Sequence, residues 1–199
     1  MSITVQRFRE AVRKGDVLGA TLAVKQMPDV NKPEQHLTNH TPITYLIVHD
    51  MEILVNTLIS EGADVNRVSC MGLTPLQHAC SFERSYAVDC LLQAGADPNI
   101  AEKVYGWSAL TLATMGGHVD LVETLCSAGA HIDHIDLQGN SMLHHAANAS
   151  ANRYEMVSLL ISLGISLDTI NAEGQTALDL AEAEGYADVV SILRDAKNK

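Results

Sequence analysis

Two sets of glycines recur at one period along this 199-residue chain, and that period limits what it can fold into. ISEGADVN ends at Asn66, LQAGADPN at Asn99, CSAGAHID at Asp133 and ISLGISLD at Asp168. Their glycines, Gly62, Gly95, Gly129 and Gly164, are separated by 33, 34 and 35 residues. A second series, Gly72, Gly106, Gly139 and Gly174, steps by 34, 33 and 35. Two independent markers in one period indicate a repeated supersecondary unit.

Each unit has a physical grammar. In MGLTPLQHAC, Thr74 is a good N-cap, and Pro75 suits the first helical position, where its missing N–H costs nothing. Leu76, Ala79 and Cys80 then fall on one face of a short helix. A second helix buries Val88, Leu91 and Leu92 and stops at Gly95, a residue suited to the left-handed position after a helix. ADPN then turns the chain into an extended excursion. Elsewhere the same roles pass to Ser108, Leu110 and Ala113, to Ser141, Leu143 and Ala146, and to Thr176, Leu178 and Ala181. Ordering a unit of about 33 residues costs on the order of 50 kcal/mol of conformational entropy, more than one short helix pair offsets by burial. The units must therefore stack, each covering its neighbour.

The pattern resembles the ankyrin repeat, whose motif runs from a hairpin glycine through T-P-L-H-x-A-A, G-H and an L-L pair to G-A-D-V-N. GLTPLQHAC, LLQAGADPN, GGHVDLVETL and LISEGADVN carry the resemblance, which covers essentially the whole chain. It implies an all-α solenoid of helix-turn-helix units joined by β-hairpin loops, forming a single domain over 1–199. The units expected are an N-terminal cap at 3–33, full units at 36–68, 69–102, 103–135 and 136–170, and a C-terminal cap at 171–199. Residues 8–31 keep the spacing without the threonine–proline signature, which fits a cap with a polar outer face. Asn39 stands where a hairpin glycine is expected, one extra residue falls near Glu102, and two fall in NASANR at 148–153. Only His144 keeps the family's histidine; Thr44, Gln77, Thr111 and Asp179 replace it. The family's histidine bonds locally to the turn, so its loss is expected to bear on stability rather than activity.

Composition narrows the function. Apolar residues make up 47% of the chain and aromatics only 4%, a core of small aliphatics that suits closely stacked helices. A net charge of −11 repels phosphate backbones and anionic lipid, which argues against nucleic acid and membrane surfaces as partners and favours basic ones. The start, MSITVQRFREAVRKGD, has charges where a secretory signal needs an apolar run. Cys70, Cys80, Cys90 and Cys126 are scattered, without a C-x-x-C pair, so reduced thiols in the cytoplasm are expected.

The templates of catalysis are missing: there is no G-x-S-x-G elbow, phosphate-cradling glycine loop or H-E-x-x-H. His131 and His134 fall in an extended arm, and His144 and His145 are adjacent on a helix, so neither pair presents two ligands on one face. Neither cofactor nor metal is expected, and Cys70 reads as an exposed but inert thiol. The expected function is non-catalytic binding of a partner protein, by an adaptor or by an inhibitor or effector that sequesters an enzyme. The expected state is a monomer, with a weak homodimer as the alternative.

Such solenoids resemble one another in binding through their concave side, at the hairpin tips and the ends of the first helices. The register places Met71, Leu73 and Phe82 there, then Tyr105, Trp107 and Met115, then Leu137, Gln138 and Asn140. This set is apolar for positions a lone solenoid leaves in water, as expected of an interface. Arg84 and Arg153, beside the inter-helix turns, are expected to meet acidic partner groups at the rim. The competing expectation is that Tyr105 and Trp107 fold onto adjacent hairpins, and that Phe82 caps its own helix.

Overall fold

A computed structural model describes residues 3–32 and 40–198. Asn39, the expected substitute for a hairpin glycine, lies outside the described residues, as do parts of the boundaries at 33 and 36. The chain divides into two compact units, residues 1–97 and 98–199.

The first unit contains α1 (Ile3–Lys14), α2 (Val17–Lys25), α3 (Pro42–Val48), a 3-10 turn at Glu52–Leu54 leading into α4 (Val55–Ser60), α5 (Pro75–Ser81) and α6 (Ser85–Gln93). The second contains α7 (Ala109–Gly116), α8 (Val119–Ser127), α9 (Met142–Ala147), α10 (Arg153–Ser162), α11 (Ala177–Glu184) and α12 (Ala187–Lys197). None of these helices is long and apolar enough to cross a membrane. No strand forms among the described residues, and the connecting hairpins are tight turns each closed by two backbone hydrogen bonds, as where the Ser69 N–H donates to Leu73 C=O (2.8 Å) and the Gly72 N–H to Ser69 C=O (2.9 Å).

Helices this short need their ends satisfied, and the residues three positions after each N-cap do much of that. Thr74 and Gln77 cap each other: the Thr74 N–H donates to Gln77 Oε1 (2.7 Å) and the Gln77 N–H to Thr74 Oγ1 (3.2 Å). Ser108 with Thr111, Ser141 with His144, and Thr176 with Asp179 repeat the arrangement, and Thr44 bonds back to Thr41. Three of the four replacements of the expected histidine, Gln77, Thr111 and Asp179, thus restore the reciprocal cap, while the Thr44 hydroxyl donates instead to Thr41 C=O (3.2 Å). Amide, hydroxyl, imidazole and carboxylate all contain an acceptor at the required reach.

Between the two helices of each pair one residue adopts a left-handed backbone. Gly15, Gly117 and Gly185 hold this place at φ of 67°, 76° and 76°, and Asp50, Glu83 and Asn152 hold it at 62°, 54° and 51°. At Gly117 a side chain is excluded twice: a Cβ would also lie 2.2 Å from the Ala151 carbonyl oxygen. That contact comes from the two-residue insertion, which bonds back onto the end of α7. The Ser150 N–H donates to Met115 C=O (3.1 Å), and Asn152 Nδ2 donates to Gly117 C=O (3.0 Å).

Neighbouring pairs are joined by burial and by an asparagine clamp. In the first unit Phe8, Leu46, Leu58, Leu76 and Leu91 are fully buried, with the Phe8 and Tyr45 rings 6.1 Å apart. In the second, Leu110, Leu125, Met142, Leu160 and Val189 fill the same role; on α6 of the first unit Leu92, expected to be buried, is only half-buried. Asn31 Nδ2 donates to Gly62 C=O (2.9 Å), and its Oδ1 accepts from the Asp64 N–H (2.6 Å). Asn66 accepts from the Asp97 N–H (2.9 Å). Asn99 Nδ2 donates to Gly129 C=O (3.1 Å), and its Oδ1 accepts from the His131 N–H (2.8 Å).

The first pair departs from expectation. Its outer face is not polar throughout: Ile3, Leu18 and Leu22 are 69%, 70% and 52% exposed. The α1–α2 pair is nonetheless well formed, with Val5, Phe8, Ala20 and Val24 buried and Asp16 capping α2 through the Gly19 N–H.

Replacing Asn99 by Ala removes both clamp bonds between consecutive loops. The variant is expected to lose about 1–3 kcal/mol in urea unfolding, with Asn99→Asp intermediate because a carboxylate still accepts from His131. An unchanged midpoint would show that the clamp carries no stability.

Candidate protein-binding surface

Four described hairpins project from the helix pairs, and each begins with a polar side chain that folds back on its own turn. Ser69 Oγ accepts from the Met71 N–H (3.3 Å). The Glu102 carboxylate accepts from the N–H groups of Val104 (2.6 Å), Tyr105 (2.7 Å) and Trp107 (3.1 Å). Asp136 accepts from Gln138 (2.9 Å) and Asn140 (2.8 Å), and Asn171 from Glu173 (3.1 Å) and Gln175 (3.0 Å). The hairpin bonds close from Ser69 to Leu73, Asp136 to Asn140 and Asn171 to Gln175, but from Glu102 to Trp107. That turn contains the extra residue, and the longer glutamate side chain spans it. Burial pushes the Glu102 carboxyl up, but the N–H groups of Trp107, Val104, Tyr105 and Gly106 outweigh it and hold it below the ordinary range.

A histidine then grips each hairpin. His78 Nε2 meets Ser69 Oγ at 3.0 Å, and His134 Nε2 donates to Gly106 C=O at 2.6 Å. His145 Nε2 donates to Asp136 Oδ2 at 3.0 Å, and His144 Nε2 to Gln175 C=O at 2.9 Å. Burial keeps the His145 imidazole below its usual pKa despite the opposing Asp136 charge. His131 and His134 lie in a turn closed by the His134 N–H on His131 C=O (3.2 Å), not in an extended arm. No cluster of three or more His, Cys, Asp or Glu among the described residues is arranged to hold a metal ion.

In the first unit, Met71 stands at a hairpin tip, 62% exposed, with Leu73 half-buried beside it. Phe82 is exposed and is the C-cap residue of α5. Arg84 is engaged within the chain, ion-paired to Asp50 at 2.7 Å.

In the second unit, the Tyr105 and Trp107 rings stack with centroids 4.4 Å apart and planes 17° from parallel. Tyr105 is exposed and Trp107 half-buried. The Leu137 N–H donates to Tyr105 C=O (2.8 Å), drawing the two hairpins together, and the Leu137 side chain remains 70% exposed. This approach requires Gly106, where a Cβ would meet Leu137 Cγ at 3.0 Å and its backbone nitrogen at 3.1 Å. Gln138 is exposed, and its carbonyl accepts from the Ala172 N–H (2.8 Å). Asn140 is spent on structure: its Nδ2 donates to Asp136 (3.2 Å), and its Oδ1 accepts from Asn171 Nδ2 (3.2 Å). Met115 is half-buried, and Arg153 lies over the Tyr186 ring at 4.2 Å. The structure therefore brings Tyr105, Trp107 and Leu137 together and commits Asn140 to the scaffold. Sequence reasoning missed Ile135 and Ile170, both exposed one residue before the polar side chain that opens their hairpins. Val68, before Ser69, shares that place and would have revealed the pattern.

A family profile described as ankyrin repeats (3 copies) matches in overlapping registers over residues 8–102, 49–136, 82–171 and 133–199. The chain belongs to the ankyrin-repeat family. Ankyrin repeats are generally non-catalytic protein–protein interaction modules. The human ankyrin repeat domain-containing protein 63 is 33% identical over 144 residues, covering 68% of this chain and 38% of that protein. The E3 ubiquitin-protein ligase XBAT33 of Arabidopsis thaliana is 25% identical over 194 residues, covering 98% of this chain and 36% of that protein. The chain thus spans well under half the length of these relatives. A crystal structure of the ankyrin repeat protein EF0377 superposes with a TM-score of 0.84 at 24% identity, covering 96% of this chain and 97% of that one.

Two outcomes follow from the ankyrin hairpins. Glu102→Ala should strip amide-exchange protection from Val104, Tyr105 and Trp107 and cost about 1–3 kcal/mol, with Glu102→Gln milder; unchanged protection would refute the role of the carboxylate. His78 is buried against Ser69 and His40, and burial first, then the His40 charge, lower its pKa to about 4. The unfolded chain binds this proton at a higher pH, so the contribution is complete above about pH 6.5 and falls away towards pH 4, a loss of roughly 3 kcal/mol. Urea midpoints measured across that window should fall with acid, and His78→Gln should flatten the slope.

Proposed function

We propose that this ankyrin-repeat protein is a non-catalytic adaptor that binds a partner protein at its hairpin tips and first-helix ends. In the first unit the contacting side chains are Met71, Leu73 and Phe82. In the second they are Tyr105, Trp107, Met115, Leu137 and Gln138. Asn140 and Arg84 act by holding the surface in place. We also place the protein in the cytoplasm, a reading supported by the scattered cysteines and acidic charge.

The observation that carries the proposal is the stacked Tyr105–Trp107 pair beside exposed Leu137. An aromatic pair and a leucine on adjacent, rigidly tied hairpins offer apolar area at little entropic cost to a partner. The carboxylates and imidazoles beside this surface are engaged within the chain: Glu102 accepts from the Tyr105 N–H, His134 donates to Gly106 C=O and His145 to Asp136.

The test is affinity capture with the wild type, followed by calorimetric titration of the captured protein with two variants. Leu137→Asp, at an exposed position, should weaken binding by about 2 kcal/mol or more while leaving the melting temperature nearly unchanged. Trp107→Ala should weaken it at least as much and also lower stability, because the ring packs on Tyr105. Full affinity in both variants would move the partner site elsewhere.

A further inference from the structure

We propose that the first unit contains an acid-released latch: protonation of the buried His40–His78 pair frees the hairpin that displays Met71 and Leu73, while the equivalent hairpin of the second unit holds. The latch regulates a surface to which partner binding is assigned, and its use rests on that assignment.

The two hairpins are latched from the same place in their repeats. His78 and His145 each follow the third residue of a first helix, Gln77 or His144, and each reaches back nine positions to the residue that opens the hairpin. The partners differ. His78 Nε2 meets the Ser69 hydroxyl at 3.0 Å, and His145 Nε2 meets the Asp136 carboxylate at 3.0 Å. A carboxylate holds an imidazolium by charge, whereas a hydroxyl gives it no countercharge. At His145 burial lowers the pKa, and the Asp136 charge and hydrogen bond oppose that shift.

Around His78 the charges are positive. His40 lies edge-on to its ring, with centroids 5.4 Å apart and planes at 83°, and both side chains are buried. His40 Nδ1 has no hydrogen-bond partner among the described residues. His40 in turn acts on His49 at the end of α3, where Arg13 and Arg9 of α1 add their charges. Tyr45 of α3 lies against His49, with centroids 4.1 Å apart. From α6, packed on α5, Ala87, Val88 and Leu91 are buried with the Cys90 thiol, and Asp89 is exposed. On α5 itself burial pushes the Cys80 thiol up to about 12 and keeps it neutral. The carboxylates after α3 are engaged elsewhere: Asp50 pairs with Arg84, and Glu52 accepts from the Ala87 N–H at 3.1 Å. Burial holds His40 below its ordinary pKa, and burial with the His40 charge takes His78 to about 4. Each proton therefore enters a site without a countercharge among the described residues, and the first repels the second.

Ser69 is the residue through which acid reaches the hairpin. Its hydroxyl accepts from the Met71 N–H (3.3 Å), its N–H donates to Leu73 C=O (2.8 Å), and its C=O accepts from the Gly72 N–H (2.9 Å). All three of these bonds pass through the residue that His78 contacts. An imidazolium that moves towards water withdraws from Ser69 and loosens them together. Because folding lowers the pKa of both histidines, the latch is closed above about pH 6.5 and opens as the pH falls towards about 4.

The test is hydrogen exchange by NMR on the full chain at about pH 7 and about pH 4.5, read as protection factors at Ser69 and Gly72 and at Asp136 and Gly139. The first two should fall at least about tenfold, and the second two less than about threefold. Ser69→Asp gives the first hairpin the carboxylate of the second and should keep Gly72 protected at the lower pH. His78→Gln removes the titrating ring and should leave Gly72 equally protected at both pH values, with circular dichroism confirming that each variant folds. Equal loss in both hairpins would overturn the proposal, as would a pH-independent wild type or a loss that persists in either variant. No partner takes part in this measurement, so the latch stands or falls separately from the partner-binding reading.

Discussion

A helix of seven residues does not persist in water, and the first helices of this chain run from six to eight residues wherever the threonine or serine cap is present. Everything else follows from that constraint. Each pair holds its shape only while a neighbour covers its apolar side, so the ends of the helices must be satisfied locally and the pairs must be spaced by a constant length. The capping residues three positions into each first helix meet the first demand, and the asparagine clamps with the hairpin glycines meet the second. Stability is then a sum over neighbours rather than the property of one central core.

The same economy positions the candidate binding surface. A loop that protrudes from a helix pair would ordinarily be mobile, and a mobile loop binds at the cost of its own ordering. Here each hairpin is held from within by Ser69, Glu102, Asp136 or Asn171 and from outside by a histidine. The tips are thereby rigid before any partner arrives. The bonds described for these backbones come from the opening side chains and the histidines, which leaves exposed Met71 and Leu137 open to change.

Period, helix pairs and caps were legible in the sequence because they depend on residue type at a fixed place: Thr74 before Pro75, Leu76 with Ala79, Gly72 at a turn. What escaped reading depends on reach rather than type. The histidine position was expected to be lost in four units, yet Gln77, Thr111 and Asp179 make the same local bond with different chemical groups, and Thr44 bonds back to Thr41 by donating its hydroxyl. The left-handed residue between helices escaped notice where Asp50, Glu83 and Asn152 stand in for glycine. The face of the first pair was misread because residues 8–31 mix charged and apolar side chains, and which apolar ones are covered depends on the packing of the next pair.

Among the candidate contacts, the register could not separate display from support. Leu137 and Asn140 are equally well placed by counting from Gly139, yet one projects into solvent and the other bridges Asp136 to Asn171. The distinction is chemical. An amide can satisfy a donor and an acceptor at once and is drawn into the hairpin network, whereas a leucine finds nothing there to bond and is displaced outward. By that rule the tip positions most open to change are the ones holding apolar side chains. On this chain those are the positions through which an ankyrin scaffold would acquire a partner without disturbing the bonds that keep it folded.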